Sequence, residues 1–249
     1  MPEDLLRSRN IRLVIEYDGT GYSGWQRQAG DRTVQGSVEA ALRELLGEEV
    51  SLTGAGRTDA GVHARAQVAN FRAATPMECG RIARGLNALL KDDIAVLGCD
   101  DVPESFHSRF DAVARRYSYT ISTVPTALER GRSWYLRHRL DIAPMQEAAG
   151  TITGRHDFSS FCRSAAGAGH HFCVVYEASW TGGGGRLRFS IRADRFLHGM
   201  VRGLVGTMVD VGRGFTSVPE FRAVLQGRDR SLAGQAAPPA GLVLEEVYY

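Results

Sequence analysis

Phe172-Cys173-Val174-Val175-Tyr176-Glu177-Ala178-Ser179-Trp180-Thr181 is followed by Gly182-Gly183-Gly184-Gly185 and then by Arg186-Leu187-Arg188-Phe189-Ser190-Ile191-Arg192-Ala193. Two strand-like runs around a four-glycine turn predict a β-hairpin. A hairpin pairs its arms antiparallel, so the helices of this chain are expected to pack on antiparallel sheets, an α+β rather than a doubly wound arrangement. Before the hairpin, Ala114–Thr123 alternates as a strand and Pro144–Thr151 reads as helical. After it, Phe196–Val211 reads as a long amphipathic helix, a shorter helix starts near Pro219, and Leu242–Tyr248 closes as a strand, with Gln235–Ala240 as a loop between them.

The first half has a similar alternation. Ile11–Tyr17 predicts a strand ended by Asp18-Gly19, and a glycine-rich loop with Tyr22 and Trp25 follows. Thr33 is a candidate N-cap for a helix reaching about Gly47, with Val34, Val38, Ala41, Leu42, Leu45 and Leu46 at helical spacing. Residues 50–73 read as extended, interrupted by Gly54, Gly56 and Gly61. Arg81–Leu90 predicts a helix with Ile82, Leu86 and Leu89 on one face, and Asp93–Leu97 a short strand. The similar order of the halves hints at a duplication and divides the chain into residues 1–104 and 105–249.

Charge follows that division. The chain has 249 residues and a formal net charge of +2. Residues 1–104 carry a net of −4 and residues 105–249 a net of +6, with seven arginines in 105–139. A basic half suits an anionic partner. Lys91 is the sole lysine. A GC-rich genome favours arginine codons, and a surface that grips phosphate with planar forks favours the same residue. No apolar run approaches the ~20 residues of a membrane span, and the first residues lack a signal-peptide core. Cys79, Cys99, Cys162 and Cys173 contain no C-x-x-C pair and resemble neither a zinc cage nor a disulfide framework. A reduced cytoplasmic protein with no membrane and no metal is expected.

The most unusual segment is Gly54-Ala55-Gly56-Arg57-Thr58-Asp59-Ala60-Gly61-Val62-His63. A dinucleotide fingerprint needs glycine where Asp59 stands, and a P-loop needs Lys and Ser/Thr where Val62 and His63 stand. What remains is an aspartate between glycines, two residues from an arginine. Such a carboxylate suits a nucleophile, a base or an electrostatic stabiliser; it also suits a turn aspartate bonded to its own backbone. His63 suits a general base, but with no Cys or Ser partner at a recognisable spacing it reads rather as a packed or surface histidine. Tyr17, Tyr22 and Trp25 suit base stacking or core. In Arg115-Arg116-Tyr117-Ser118-Tyr119 the alternation puts the two tyrosines on one face and Arg116 with Ser118 on the other, a pattern shared by nucleic-acid surfaces and half-buried strands. Arg202 sits among apolar helix neighbours and needs an anionic partner, for which Asp59 is a candidate.

Taken together these segments resemble the TruA family of tRNA pseudouridine synthases over nearly the whole chain. The resemblance is carried by Tyr17-Asp18-Gly19-Thr20, Gly24-Trp25-Gln26, Thr33-Val34-Gln35-Gly36 and the signature Gly56-Arg57-Thr58-Asp59-Ala60-Gly61-Val62-His63. Gly85-Leu86-Asn87-Ala88, Phe106-His107-Ser108-Arg109-Phe110, Arg116-Tyr117-Ser118-Tyr119, His156-Asp157-Phe158-Ser159-Ser160-Phe161, Phe196-Leu197 and Met200-Val201-Arg202 follow in order. The segment Ala237-Pro238-Pro239-Ala240-Gly241-Leu242-Val243-Leu244 ends the series.

The resemblance implies that Asp59 is the catalytic aspartate, that Arg57 helps displace the target base, that Tyr117 stacks on the uracil and that Arg202 pairs with the catalytic carboxylate. It implies two similar α/β subdomains with mainly antiparallel sheets packed by helices and an active cleft between them. The first subdomain would carry the Asp59 loop and the second a basic tRNA surface. It further implies a homodimer acting without a cofactor on uridines of the tRNA anticodon arm. His63, Leu197 and Met200 are candidate substrate contacts, and Arg109, Arg115, Arg116 and Arg195 candidate RNA contacts. The chain departs from the family pattern at Lys91, at Gly199 and across 163–174, which carries His170-His171. A non-catalytic RNA-binding protein and a carboxylate-dependent nucleoside hydrolase are the alternatives.

Overall fold

A computed structural model describes residues 8–163 and 170–249. In chain order its elements are β1 (Arg9–Tyr17), α1 (Val34–Leu46), β2 (Thr53–Gly54), β3 (His63–Ala73), α2 (Cys79–Leu89), β4 (Ile94–Val102), β5 (Ala114–Ser122), β6 (Trp134–Tyr135), α3 (Ile142–Thr151), β7 (Gly154–Asp157), β8 (Phe172–Gly183), β9 (Arg186–Ala193), α4 (Met200–Gly212), α5 (Val218–Gly227) and β10 (Leu242–Tyr248). The α+β class holds: every strand pairing described below is antiparallel except β5 with β6. The chain forms two compact units, one running to Val113 and taking in Leu244–Tyr249, the other Ala114–Val243. No helix among the described residues is long and apolar enough to cross a membrane, and all four cysteines are free thiols.

In the first unit β1 lies between β3 and β4, with Leu13 opposite Ala69 on one side and Cys99 on the other. Ile11, Leu13, Ile15 and Tyr17 alternate into the core, the period-two pattern of a strand with one packed face. Helix α1 begins where Thr33 accepts the Gly36 N–H and ends at Gly47, whose φ of 75° ends the helix in the left-handed region. It buries Val34, Val38, Ala41 and Leu42 and packs on α2, which in turn packs on β4. Asn87 of α2 holds β4 directly: its Nδ2 donates to Val96 O at 2.9 Å and its Oδ1 accepts from Val96 N at 2.7 Å.

The sequence boundary at residue 104 lies inside this unit. Residues 105–113 stay with it because Asn10 Nδ2 donates to Phe106 O at 2.9 Å, Ser108 N donates to Asn70 Oδ1 at 3.0 Å and Val113 N donates to Tyr248 O at 2.8 Å. Those bonds join segments far apart in sequence, so composition did not reveal them. Strand β4 likewise runs past the expected Leu97 to Val102, because β1 is long enough to pair with all of it.

In the second unit the strand order is β5-β9-β8-β7, with β6 beside β5. The hairpin is present, but β8 runs through Gly183 and only Gly184 and Gly185 make the turn, with φ of 61° and 89°. Across β5 and β9, Tyr117 faces Ile191 and Tyr119 faces Phe189. Ser118 is buried rather than solvated, so the β5 face opposite the tyrosines is covered. Helices α3, α4 and α5 pack on one another, and α3 lies on β8.

The helix expected from Phe196 starts at Met200. Gly199 stands at its N-cap with φ 74°, a left-handed residue that breaks the helical path. Phe196 and Leu197 therefore lie in a loop. Helix α4 is lined with glycine where other backbone crosses it: a Cβ on Gly203 would collide with Phe161 O and one on Gly206 with Gln235 O. Gly206→Ala is expected to lower stability by about 1–3 kcal/mol, the usual range for overpacking a close contact. Chemical denaturation measures it; an unchanged midpoint contradicts the packing.

Candidate functional site

The Asp59 loop spans the gap between β2 and β3, and backbone and side-chain bonds hold it along its length. Ala55 N donates to Val68 O at 2.7 Å, and Gln67 Nε2 donates to Gly56 O at 3.0 Å. Trp25 N donates to Thr58 O at 3.1 Å, and the Thr58 hydroxyl is 2.7 Å from the buried Tyr17 hydroxyl. Val62 N then donates to Asp59 O at 3.1 Å, and Gly61 takes φ 76° within that turn. Glycine with positive φ at the third position is what a type II turn requires. Asp59 is thus the first residue of a tight turn, half-buried, its backbone carbonyl committed to the turn.

The other candidates in this unit separate into exposed and packed groups. Arg57 is exposed, and its Nε donates to Gln26 Oε1 at 3.0 Å. His63 is 4% exposed and its Nδ1 accepts the Gly19 N–H at 3.1 Å, so this histidine is packed against the Asp18–Gly19 turn. Tyr17, Tyr22 and Trp25 are core. Burial pushes the Tyr22 hydroxyl up to about 12, helped by its 2.6 Å hydrogen bond to Asp93. Arg109 is exposed and lies over the Phe110 ring at 5.6 Å.

In the second unit Tyr117 projects from β5 and is 7% exposed. The Phe196 ring meets it edge-on at 5.0 Å, which fixes the tyrosine plane. Arg202 lies in the first turn of α4. Its Nε donates to Ala237 O at 2.7 Å while its own carbonyl accepts from Ala237 N at 2.9 Å. Tyr119 donates to Pro238 O at 2.8 Å. Burial raises the pKa of the Tyr119 hydroxyl, and the Arg202 charge pulls it back down. The Ala237–Pro238 segment thus steadies both side chains. Leu197 is half-buried, but Met200 is fully buried, a core residue rather than an accessible wall.

Two of the candidate RNA contacts already serve the fold: Arg115 Nη1 donates to Asp194 O at 2.9 Å and Arg116 lies 3.9 Å from Glu177. Arg195 approaches His170 Nε2 at 3.5 Å. Half of the departure at 163–174, residues 164–169, lies outside the described residues.

Sequence reasoning placed Asp59 on a glycine-flanked loop but missed what holds it. Thr58, Gln67 and the Tyr17 hydroxyl carry no motif for that role; Gln67 was visible only as a polar residue in a strand. Phe196 stood within a quoted motif without an assigned role, because a helix was expected there. The arrangement supplies an aspartate on a clamped turn with an exposed arginine two residues before it, and, in the other unit, an edge-on aromatic pair and an arginine anchored to Ala237.

Comparison with known proteins agrees with the earlier resemblance. The family model described as tRNA pseudouridine synthase matches residues 13–111 and 148–249. The tRNA pseudouridine synthase A of Acetivibrio thermocellus is 43% identical over 243 residues, covering 97% of this chain and 100% of that protein. Its counterpart in Citrifermentans bemidjiense is 44% identical over 244 residues, covering 97% and 98%. That of Chlorobium luteolum is 45% identical over 242 residues, covering 97% and 96%.

Tyr17→Phe tests the clamp on the loop. It keeps the ring and removes only the hydroxyl bond to Thr58, at an expected cost of about 1 kcal/mol. Hydrogen exchange at Gly61 and Val62 is expected to speed up; unchanged exchange would show that Tyr17 does not steady the turn.

Proposed function

Because the chain belongs to the tRNA pseudouridine synthase family, we propose that it isomerises uridine to pseudouridine in the anticodon arm of tRNA with Asp59 as the essential carboxylate. The observation that carries this reading is the Asp59 turn. The clamped turn fixes the Asp59 backbone, so its short side chain reaches a reacting sugar or base from a set position, which lowers the entropy cost of alignment.

The reaction breaks the bond from ribose C1′ to uracil N1, rotates the base and forms a bond from C1′ to C5. N1 gains a proton and C5 loses one, so no outside group is consumed. A uridine stacked in tRNA must first leave the stack, which costs a few kcal/mol. Arg57, exposed beside the carboxylate, fills the vacated space and holds the phosphate backbone. Tyr117 retains the detached base by stacking, its plane fixed by Phe196. Arg202 supplies the counter-charge for the carboxylate, and its anchoring through Ala237 limits its movement. Asp59 acts as an ionised group, by attack at C1′, by attack on the uracil ring, or by removing the C2′ proton to give a glycal.

Leu197 excludes water that would otherwise turn cleavage into loss of the base. Met200 supports it from within the core, and His63 braces the carboxylate loop. The surface arginines Arg109, Arg115, Arg116 and Arg195 supply part of a tRNA track. The working enzyme is a cytoplasmic homodimer.

Purified Asp59→Asn protein is expected to bind tRNA and form no pseudouridine, measured by mapping modified positions in tRNA incubated with the protein. Normal turnover by this variant overturns the assignment, and release of free uracil by the wild type would instead indicate a nucleoside hydrolase. At Tyr117, a Phe replacement keeps the ring and should retain most turnover, whereas a Leu replacement should cripple it. Equal rates for the two would rule out stacking.

A further inference from the structure

Arg57 is exposed, yet its guanidinium is tied to a buried carboxylate through two glutamine side chains. Arg57 Nε donates to Gln26 Oε1 at 3.0 Å, and Gln26 Nε2 donates to Gln35 Oε1 at 2.8 Å. Gln35 Nε2 donates in turn to Glu39 Oε1 at 2.9 Å and to Leu52 O at 3.0 Å. Gln35 Oε1 also accepts from Arg27 N at 2.9 Å. Glu39 is 5% exposed; its Oε1 accepts from Leu52 N at 2.9 Å, and its Oε2 lies 3.0 Å from Arg27 Nη1.

The order of donors and acceptors in this chain has only one solution. An amide side chain is two-ended, with donors on nitrogen and acceptor capacity on oxygen, and its neighbours decide which end points where. The Glu39 carboxylate and the Leu52 carbonyl accept only, so the Gln35 nitrogen must face them. Its oxygen then faces Gln26 and the Arg27 N–H, which confirms the orientation because that amide donates only. Gln26 must in turn present its nitrogen to Gln35, leaving its oxygen for position 57. The buried charge therefore dictates an acceptor at the surface, and Arg57 Nε–H meets it.

We infer that Gln26 is a positioning residue for Arg57, locked by Gln35 and Glu39, so that Arg57 reaches the RNA backbone with its Nη1/Nη2 edge alone. Arginine has two edges that can grip a phosphate, Nε with one Nη or the two Nη together. Committing Nε to Gln26 removes the first. It also orders a long side chain before the base is displaced, so its freedom is not lost at that step. This deepens the proposed function and rests on its reading of Arg57 as the residue that displaces the base.

The test combines kinetics with a measurement that does not need turnover. Gln26→Leu, with Gln26→Met as a second apolar replacement, is expected to lower kcat roughly tenfold at nearly constant KM, the scale of immobilising one long side chain. In an Arg57→Ala background the same replacement should change nothing further. An equal loss in both backgrounds would make Gln26 a structural residue and overturn the inference. Independently, the wild-type Arg57 Nε–Hε NMR signal, identified by its absence in Arg57→Lys, should exchange with water more slowly than that of Arg84, exposed on α2. Exchange as fast as Arg84 overturns the lock. A wild-type protein that binds tRNA but forms no pseudouridine would sink the proposed function and leave the exchange measurement to decide the lock.

Discussion

The backbone of Gly24 and Trp25 lies directly on the backbone of Thr58 to Ala60, and the Asp59 loop of the first unit depends on that contact. A Cβ on Gly24 would stand 2.7 Å from Thr58 O and 3.2 Å from Ala60 N, and its φ of 98° suits glycine for a second reason. From this contact the bonds run outward. Trp25 N reaches the carboxylate loop, while the carbonyls of Gly24 and Trp25 accept from Val34 N and Gln35 N at the start of α1. The first amides of a helix have no partners within it, so the loop completes the helix and the helix fixes the loop. Any side chain on Gly24 would therefore disturb three segments at once.

Polar groups do much of the locating in this unit. Asn10, Gln35, Glu39, Gln67, Asn70 and Ser108 are all buried. Asn70 Nδ2 donates to Asn10 Oδ1 at 2.9 Å and Asn10 Nδ2 donates to Pro103 O at 3.0 Å, so two side chains on adjacent strands bind the segment that follows β4. Buried polar groups cost free energy unless they are paired, and this makes each alternative register expensive. Gln67 is only half satisfied: its nitrogen holds Gly56 O, whereas its Oε1 finds no partner among the described residues. Apolar packing would stabilise the sheet without selecting where the carboxylate loop sits; these amides make that selection.

Features governed by neighbouring residues were readable from the sequence. Thr33 and Gly47 marked both ends of α1 because a cap bond and a left-handed exit act over three or four residues. Leu242–Tyr248 matched β10, and the hairpin gave the antiparallel arrangement of the second unit. Features set by distant partners were not readable. Helix α4 looked as though it began at Phe196 because the apolar period continues back through Leu197; the backbone angle at Gly199 ends it sooner. β7 escaped notice because four residues hold no periodicity, and it exists through pairing with β8. Asp59 was conspicuous among glycines. The roles of Thr58, Gln67 and Tyr17 became visible only when strands and loops remote in sequence came together, and Gln26, which accepts from Arg57, lies 31 residues away.

The placement of β10 also bears on how the protein is made. Leu244–Tyr249 belongs to the first unit, where Arg65 Nε meets Glu245 at 3.3 Å and Tyr249 donates to Ser108 O at 2.8 Å. Chains emerge from the ribosome N-terminus first, and domains tend to fold in that order. Here the first unit is synthesised early but lacks a strand until all of Ala114–Val243 has been translated. During that interval the edge of β3 is covered only by the two residues of β2, leaving the rest as the kind of surface that recruits other chains. The two units thus mature together rather than in succession, and a nascent chain spends most of its synthesis with its carboxylate loop attached to an unfinished sheet.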